Sequence, residues 1–286
     1  MKTTNLAAVQ NIIEDVAATE IMPRFRKLEQ GDIETKADNE IVTVADRAAE
    51  DALMKRLSDI LPGSVIVAEE FFDHNPGILS RFDGENDVWV IDPIDGTWNF
   101  TQGRREFGVM VACVRRRETI AAWIHDPNTG HTLSAEKGGG VWLNGNKMRL
   151  AGSDPDYSRL MIVGSRLKSI VTKPQLAYVI AALPALAIGS AVAFDYARLF
   201  VGEVNFANST APRATSLLYR MSKPWDHIPG MFLHAEAGGY SADLYEQPYD
   251  PQNGRSGLLL TPDEQAWRKL FEIIKPIRGE LALADA

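Results

Sequence analysis

The segment Val88–Phe100 reads VWVIDPIDGTWNF and puts two carboxylates at the end of an apolar run. VWVI has the texture of a buried strand and delivers Asp92 at its carboxyl end. Pro93 turns the chain, and Asp95 follows three residues after Asp92. Gly96 lets the backbone pass close to a ligand, and Thr97 adds a hydroxyl. Carboxylates so placed can face one cation, and hard divalent ions such as Mg²⁺ take oxygen ligands of this kind. A helix starting near Asp95 would aim free N–H groups at the same place and suit phosphate. An Asx turn followed by an N-cap accounts for the same residues without chemistry.

Three more acidic positions invite the same double reading. Val65-Ile66-Val67-Ala68 ends in Glu69 and Glu70. Neighbouring carboxylates at a strand end repel, and a cation relieves that; a solvated loop with two charges is the plainer account. Asp46 opens a helix after Thr43-Val44-Ala45, where an acid in the first turn simply favours the helix dipole. Asp226 follows Lys223-Pro224-Trp225 and opens another helix, where an N-cap is explanation enough.

The elements that must position these acids can be read from periodicity. Val9, Ile12, Ile13, Val16 and Ala17 mark one face of a first helix. A second runs from about Asp46 to Leu61, with Ala49, Ala52, Leu53, Leu57 and Ile60 inward, and Pro62-Gly63 stops it. Short β-like runs follow at Ser64–Ala68, Asp87–Ile91, Phe107–Arg115, Thr119–Ile124, Thr132–Ala135 and Gly140–Leu143, the last closed by an Asn144-Gly145 turn. Several of these read as neighbours in an antiparallel sheet. Arg115-Arg116-Arg117 falls where two strands meet and reads as a solvated hairpin turn. After about Leu150 strands and helices alternate: a strand at Leu160–Val163, a helix near Pro174–Ala182, a strand at Leu186–Ile188 and a helix at Ser190–Val201. A helix from Trp225 ends at Gly238-Gly239, a strand covers Gly257–Leu260, and a last helix runs from Pro262 to Ile274. Ala207–Ser216 reads as a polar surface loop.

The 286 residues are long enough for two ordinary units, and a formal net charge of -8 argues against broad nucleic-acid binding. The composition is that of a globular chain rather than a disordered or fibrous one. The start, MKTTNLAAVQ, lacks a basic stretch followed by an apolar block, so no secretory signal is expected. Leu176–Phe194 is uncharged and reaches membrane-spanning length, but Pro184, Gly189 and Ser190 interrupt it, and a buried succession of short elements is the better reading. The lone Cys113 sits in the apolar run Gly108–Val114 and reads as core, which suits a reducing cytoplasm. His227 reads as a helix-surface residue, and His74, His125, His131 and His234 show no ligand spacing.

Taken together, these segments resemble the inositol monophosphatase family of Mg²⁺-dependent, lithium-sensitive-type phosphatases. The carrying residues are Asp92-Pro93-Ile94-Asp95-Gly96-Thr97, followed by Asn99-Phe100. Ala68-Glu69-Glu70 looks like the family's Gly-Glu-Glu element with its glycine replaced. Val44-Ala45-Asp46-Arg47 looks like its Thr-x-x-Asp segment. Trp225-Asp226 with Glu236-Ala237-Gly238-Gly239 matches its Trp-Asp and Glu-Ala-Gly-Gly elements. The motifs stand in family order over about Ile12 to Ile274. The resemblance implies an α/β layered fold, an αβαβα sandwich shared with fructose-1,6-bisphosphatase. Residues 1–152 would form an α+β half with most metal ligands. Residues 153–286 would form an α/β half carrying Asp226 and the substrate wall.

By this resemblance, Glu69, Asp92 and the Ile94 carbonyl hold a first Mg²⁺, and Asp92, Asp95 and Asp226 hold a second, with a third near Glu69 an option. Asp46 and Thr97 orient the attacking water with help from Glu69, and Asp95, Gly96 and Thr97 take the phosphate. Gly189-Ser190-Ala191 stands where the family has Gly-Thr-Ala against the inositol ring. The family's inositol-binding glutamate falls at Tyr219, with Arg220 adjacent. The implied activity is hydrolysis of a small phosphate monoester, nominally inositol 1-phosphate. The alternatives are 3′-phosphoadenosine 5′-phosphate, histidinol phosphate and fructose 1,6-bisphosphate, and Arg104 and Arg105 would suit a second phosphate. A cytoplasmic homodimer without membrane partner is expected. Bacterial relatives of the SuhB type also serve as partners of the transcription machinery, a reading of another class.

Overall fold

The computed structural model describes residues 5–36, 40–152, 161–164, 182, 185–201 and 214–281. Helix α1 (Leu6–Val16) is capped by the Asn5 side chain, which accepts from the Ala8 N–H at 3.2 Å. It buries Val9, Ile12, Ile13 and Val16, the face its spacing predicts. Strands β1 (Ile33–Thr35) and β2 (Ile41–Thr43) pair antiparallel and lead into α2 (Val44–Ile60).

A seven-stranded sheet follows. It consists of β3 (Val65–Ala68), β4 (Val88–Asp95), β5 (Gly108–Arg115), β6 (Glu118–Asp126), β7 (His131–Glu136), β8 (Val141–Leu143) and β9 (Asn146–Lys147), in that spatial order. From β4 onward the pairs are antiparallel, as expected for several of these strands, whereas β3 and β4 run parallel. The short helix α3 (Glu69–His74) and a 3-10 segment (Pro76–Asp83) make the crossover that a parallel pair needs. Asn144 and Gly145 both hold positive φ, 46° and 82°, as a two-residue hairpin turn requires. Arg116 and Arg117 turn the β5–β6 hairpin in the same way.

Alternation along β4 and β5 assigns each face of this sheet to a different core. Trp89, Ile91, Val109, Val111 and Cys113 pack with α1 and α2. Val88, Val90, Met110, Ala112 and Val114 pack on the opposite side with the helices Val192–Ala197 and Pro224–Glu236. The strands β10 (Arg149–Leu150), β11 (Met161–Gly164), β12 (Ala185–Ile188), β13 (Phe200–Val201), β14 (Ser216–Tyr219), β15 (Tyr240–Ala242) and β16 (Leu258–Thr261) complete the chain's described strands. Five of them form a second sheet in the order β12-β11-β14-β16-β15, parallel at β12-β11-β14 and antiparallel beyond. Leu217, Tyr219, Leu258 and Leu260 face the same two helices. Leu218 and Leu259 face the helix Glu264–Ile274 through Trp267, Leu270 and Phe271. The layers are therefore helix, sheet, helix, sheet, helix, the expected αβαβα sandwich.

Two boundaries differ from expectation. The helix read over Ser190–Val201 spans only Val192–Ala197, and Phe200–Val201 instead pairs with Arg149–Leu150. Ser216, read as loop, opens β14 and is buried. The helix expected near Pro174–Ala182 lies outside the described residues apart from Ala182, as do residues 176–181, 183 and 184 of the apolar run Leu176–Phe194; the end of that run, Ala193 and Phe194, is buried core. Among the described residues no helix is long and apolar enough to cross a membrane.

Candidate active site

The end of β4 sets the geometry. Asp92 pairs with Met110 and Asp95 with Gly108, so the β4 side of the ladder holds one extra residue. In a regular strand, residues three apart face opposite sides. The bulge restores the phase, and both carboxylates line one cavity of about 330 Å³. Asp92 is buried, and its Oδ1 has no hydrogen-bond partner. Asp95 Oδ2 accepts from the Ala193 N–H at 2.6 Å, which docks the Val192–Ala197 helix against β4. Gly96 holds φ +88°, and a Cβ there would lie 2.8 Å from the Glu106 carbonyl oxygen and 2.9 Å from the Ala191 methyl. Only glycine fits that turn, from which the short helix α4 (Thr97–Thr101) begins.

Asp46 satisfies both of its sequence readings at once. Its Oδ2 accepts from the Thr43 N–H at 2.8 Å, closing a capping box on α2. Its Oδ1 lies 3.0 Å from the Thr97 hydroxyl, which also stands 3.0 Å from the Ile94 carbonyl oxygen. Glu69 opens α3 and lines the cavity, whereas Glu70 turns to Lys36 at 2.8 Å. Asp226 also lines the cavity, from the first turn of the Pro224–Glu236 helix. The N-cap of that helix is Lys223, so a capping role does not account for Asp226.

Burial in this acid cluster favours the neutral forms. It pushes the Asp46 and Asp95 carboxyls up to about 6. Burial, then the Asp226 charge, holds Glu69 well above the usual carboxylate range. Burial, then the charges of Glu69, Asp95 and Asp226, does the same to Asp92. Among the described residues no three His, Cys, Asp or Glu side chains close on one point as a finished metal shell. The donors nonetheless fit a hard divalent cation. They are all oxygens, they repel one another, and the buried Asp92 Oδ1 is unpartnered.

Of the residues expected to form a substrate wall, only some face the cavity. Ser190, Ala191 and Arg220 line the cavity. Gly189 packs on Asp195, where a Cβ would fall 2.0 Å from Oδ2, and it borders a neighbouring cleft instead. Tyr219 is fully buried, holds Asp195 Oδ2 through its hydroxyl at 3.3 Å and does not line the cavity. His227 is not on a helix surface. It is buried, with Nδ1 3.0 Å from the Tyr196 hydroxyl, and burial depresses it to about 3.

The sequence matches the inositol monophosphatase family over residues 2–276. The chain belongs to the inositol monophosphatase family. Membership makes it a phosphatase, a phosphoric monoester hydrolase, and this family is generally metal-dependent. Relatives include an inositol-1-monophosphatase of Mesorhizobium japonicum, 27% identical over 77% of this chain and 78% of that protein. A fructose-1,6-bisphosphatase/inositol-1-monophosphatase of Thermotoga maritima is 29% identical over 72% of each. The Nus factor SuhB of Vibrio cholerae is 28% identical over 73% of this chain and 74% of that one. Among solved structures, the Thermotoga maritima IMPase superposes with a TM-score of 0.74 at 23% identity, covering 96% of this chain and 97% of that one. The inositol monophosphatase from Anabaena gives 0.71 at 20% identity over 96% and 97%.

Sequence reasoning missed three polar residues that shape this family site. Glu50, one turn after Asp46 on α2, is buried and accepts the Glu70 N–H at 2.8 Å, fixing the start of α3. Its i, i+4 spacing from Asp46 was the available signal. Asp195 is a lone acid in an apolar stretch, a pattern that asks for a buried partner. Lys36 brings an ammonium 2.8 Å from both Glu70 and Asp73 and 3.9 Å from Glu69. No sequence pattern announces it.

Proposed function

We propose that the protein hydrolyses a small phosphate monoester, nominally inositol 1-phosphate, with Mg²⁺ as cofactor. The observation that carries this reading is the meeting of Glu69, Asp92, Asp95 and Asp226, from both halves of the chain, on one cavity beside Gly96 and Thr97. Glu69, Asp92, the Ile94 carbonyl, Asp95 and Asp226 would hold the two or three ions. When bound, such ions neutralise the ester and lower the pKa of water. The chain's own residues do the rest. Asp46 and Thr97 form a hydrogen-bonded pair suited to orienting a water and holding its proton. The Gly96–Thr97 backbone offers N–H groups to phosphate. Ser190 and Arg220 bound the space left for the alcohol.

A phosphate-release screen of the Mg²⁺-loaded protein over inositol, nucleotide, histidinol and sugar phosphates tests the reading. Lack of turnover across that panel, with Mg²⁺ binding demonstrated, would refute it. Among the described residues no surface observation favours the transcription-partner reading. The basic run Arg115-Arg116-Arg117, the local cluster that such a role could use, is already matched by acids: Arg115 by Asp87 at 2.7 Å, Arg116 by Glu85 at 3.9 Å, and Arg117 by Asp83 and Asp250.

A further inference from the structure

A second cleft opens beside the catalytic cavity and shares Trp98 and Ser190 with it. Arg26, Arg104 and Arg105 line it, and Glu106 is the acid on its wall. Several other exposed arginines are matched by acids: Arg47 by Glu34, Arg56 by Asp15, Arg268 by Glu264. Among the described residues these three have no ion-paired carboxylate. Arg26 Nε donates to the Gly103 carbonyl at 2.9 Å, and the Arg104 guanidinium lies 4.6 Å from the centre of the Trp98 ring. Trp98 itself is 50% exposed, a large apolar side chain left in solvent.

The cleft is fixed relative to the phosphate cradle. Trp98 is the residue after Thr97. The Asn99 side-chain amide donates to the Glu106 carbonyl at 2.7 Å and approaches the Ser190 carbonyl at 3.3 Å, tying the arginine turn to the wall. An exposed indole flanked by unmatched guanidinium groups suits a planar ring that carries negative charge. A small polyol needs neither feature.

We infer that this cleft is a leaving-group subsite, and that it takes a planar ring over Trp98 with a second anionic group, such as a further phosphate, at Arg104 and Arg105. The inference rests on the phosphatase reading, which puts the scissile phosphate at Gly96–Thr97. Two esters serve as probes, a nucleoside 3′,5′-bisphosphate and glycerol 2-phosphate. The wild type should prefer the bisphosphate in kcat/KM. The double variant Arg104→Gln/Arg105→Gln should lose about tenfold or more on the bisphosphate, mostly in KM, because charge-assisted contacts are removed. Trp98→Ala should lose several-fold on the bisphosphate, and the arginine double variant should leave turnover of glycerol 2-phosphate unchanged. An unchanged ratio in both variants, or equal loss on both esters, overturns the inference. Calorimetric binding of the bisphosphate to Asp46→Asn protein with Mg²⁺ keeps the subsite testable apart from turnover. A roughly tenfold weaker affinity after adding the arginine changes supports the subsite even if no ester is hydrolysed. Unchanged affinity, or no binding at all, overturns it.

Discussion

Thr97 Oγ1 stands 3.0 Å from Asp46 Oδ1 and 3.0 Å from the Ile94 carbonyl oxygen, with one proton to share between them. Ionised Asp46 attracts that proton more strongly than a carbonyl does. The hydroxyl then donates to Asp46, and the Ile94 carbonyl is left to accept elsewhere. The charge on Asp46 therefore sets which acceptor the cavity offers.

Asp46→Asn tests this coupling. The amide oxygen can still accept from Thr43, so the α2 cap survives, but the charge is gone. Phosphate release should fall by about 100-fold or more, the range lost with a general base. The thermal midpoint should move by only a few degrees, since a kept cap leaves little to lose. Turnover near wild type would remove Asp46 from the mechanism.

The acid cluster makes a second prediction, in pH and metal together. Asp95 is raised to about 6, and Asp92 and Glu69 are raised well above normal. A carboxyl with a raised folded pKa stabilises below its unfolded value and loses that contribution as pH rises through the folded value. Metal-free protein should thus lose stability from this cluster as pH rises from about 4 through the Asp95 value of about 6, with Asp92 and Glu69 extending the loss upward. A cation binds the ionised forms, so the rise in melting temperature on adding Mg²⁺ should grow from pH 5.5 to pH 8. Asp92→Asn should melt higher than wild type without metal and show little response to Mg²⁺. An equal Mg²⁺ response in that variant would exclude Asp92 as a ligand.

Gly96→Ala should abolish activity while sparing the fold. The added methyl meets the Glu106 carbonyl at 2.8 Å and Ala191 at 2.9 Å, and φ +88° strains any L side chain. The turn must shift, and the Thr97 N–H and hydroxyl move with it. Misplacement of about 1 Å costs on the order of 100-fold in rate. Circular dichroism should stay close to wild type. A variant that keeps a tenth of wild-type turnover would show that the cradle tolerates movement.

Much of the site was legible because its residues are neighbours in sequence. Asp92, Asp95, Gly96 and Thr97 fall within one strand end and one turn, and chain connectivity alone brings them together. The αβαβα layering was read from family likeness, with periodicity locating most elements. The same reading placed Tyr219 in the substrate wall and His227 on a helix surface, and both are buried. Their surroundings come from packing between segments far apart in sequence. Tyr219 meets Asp195 across 24 positions, and His227 meets Tyr196 across 31. A single residue's polarity cannot reveal such a partner. The parallel β3–β4 pair was missed for a related reason: strand direction depends on the crossover through α3, not on the strands' own alternation.

His234 gives the last prediction, on stability alone. It is fully buried on the Pro224–Glu236 helix, and its ring nitrogens have only an approach to the Thr261 backbone, short of full hydrogen-bond geometry. Its ring packs on Gly239, where a Cβ would fall 2.2 Å away. Burial lowers its pKa from 6.5 to about 4. For a base depressed in this way, the folded state resists protonation that the unfolded chain accepts. Stability is intact above the unfolded value and lost as pH falls from about 6.5 toward 4. At pH 5 the loss from this one ring is on the order of 2 kcal/mol. His125 and His227 act in the same direction, so replacing His234 should reduce the acid loss rather than remove it. His234→Leu should therefore show a smaller drop in urea midpoint between pH 7 and pH 5 than wild type, with the slope of unfolding unchanged. Parallel acid limbs in the two proteins would mean that His234 is protonated in the fold, with an acceptor that its burial conceals.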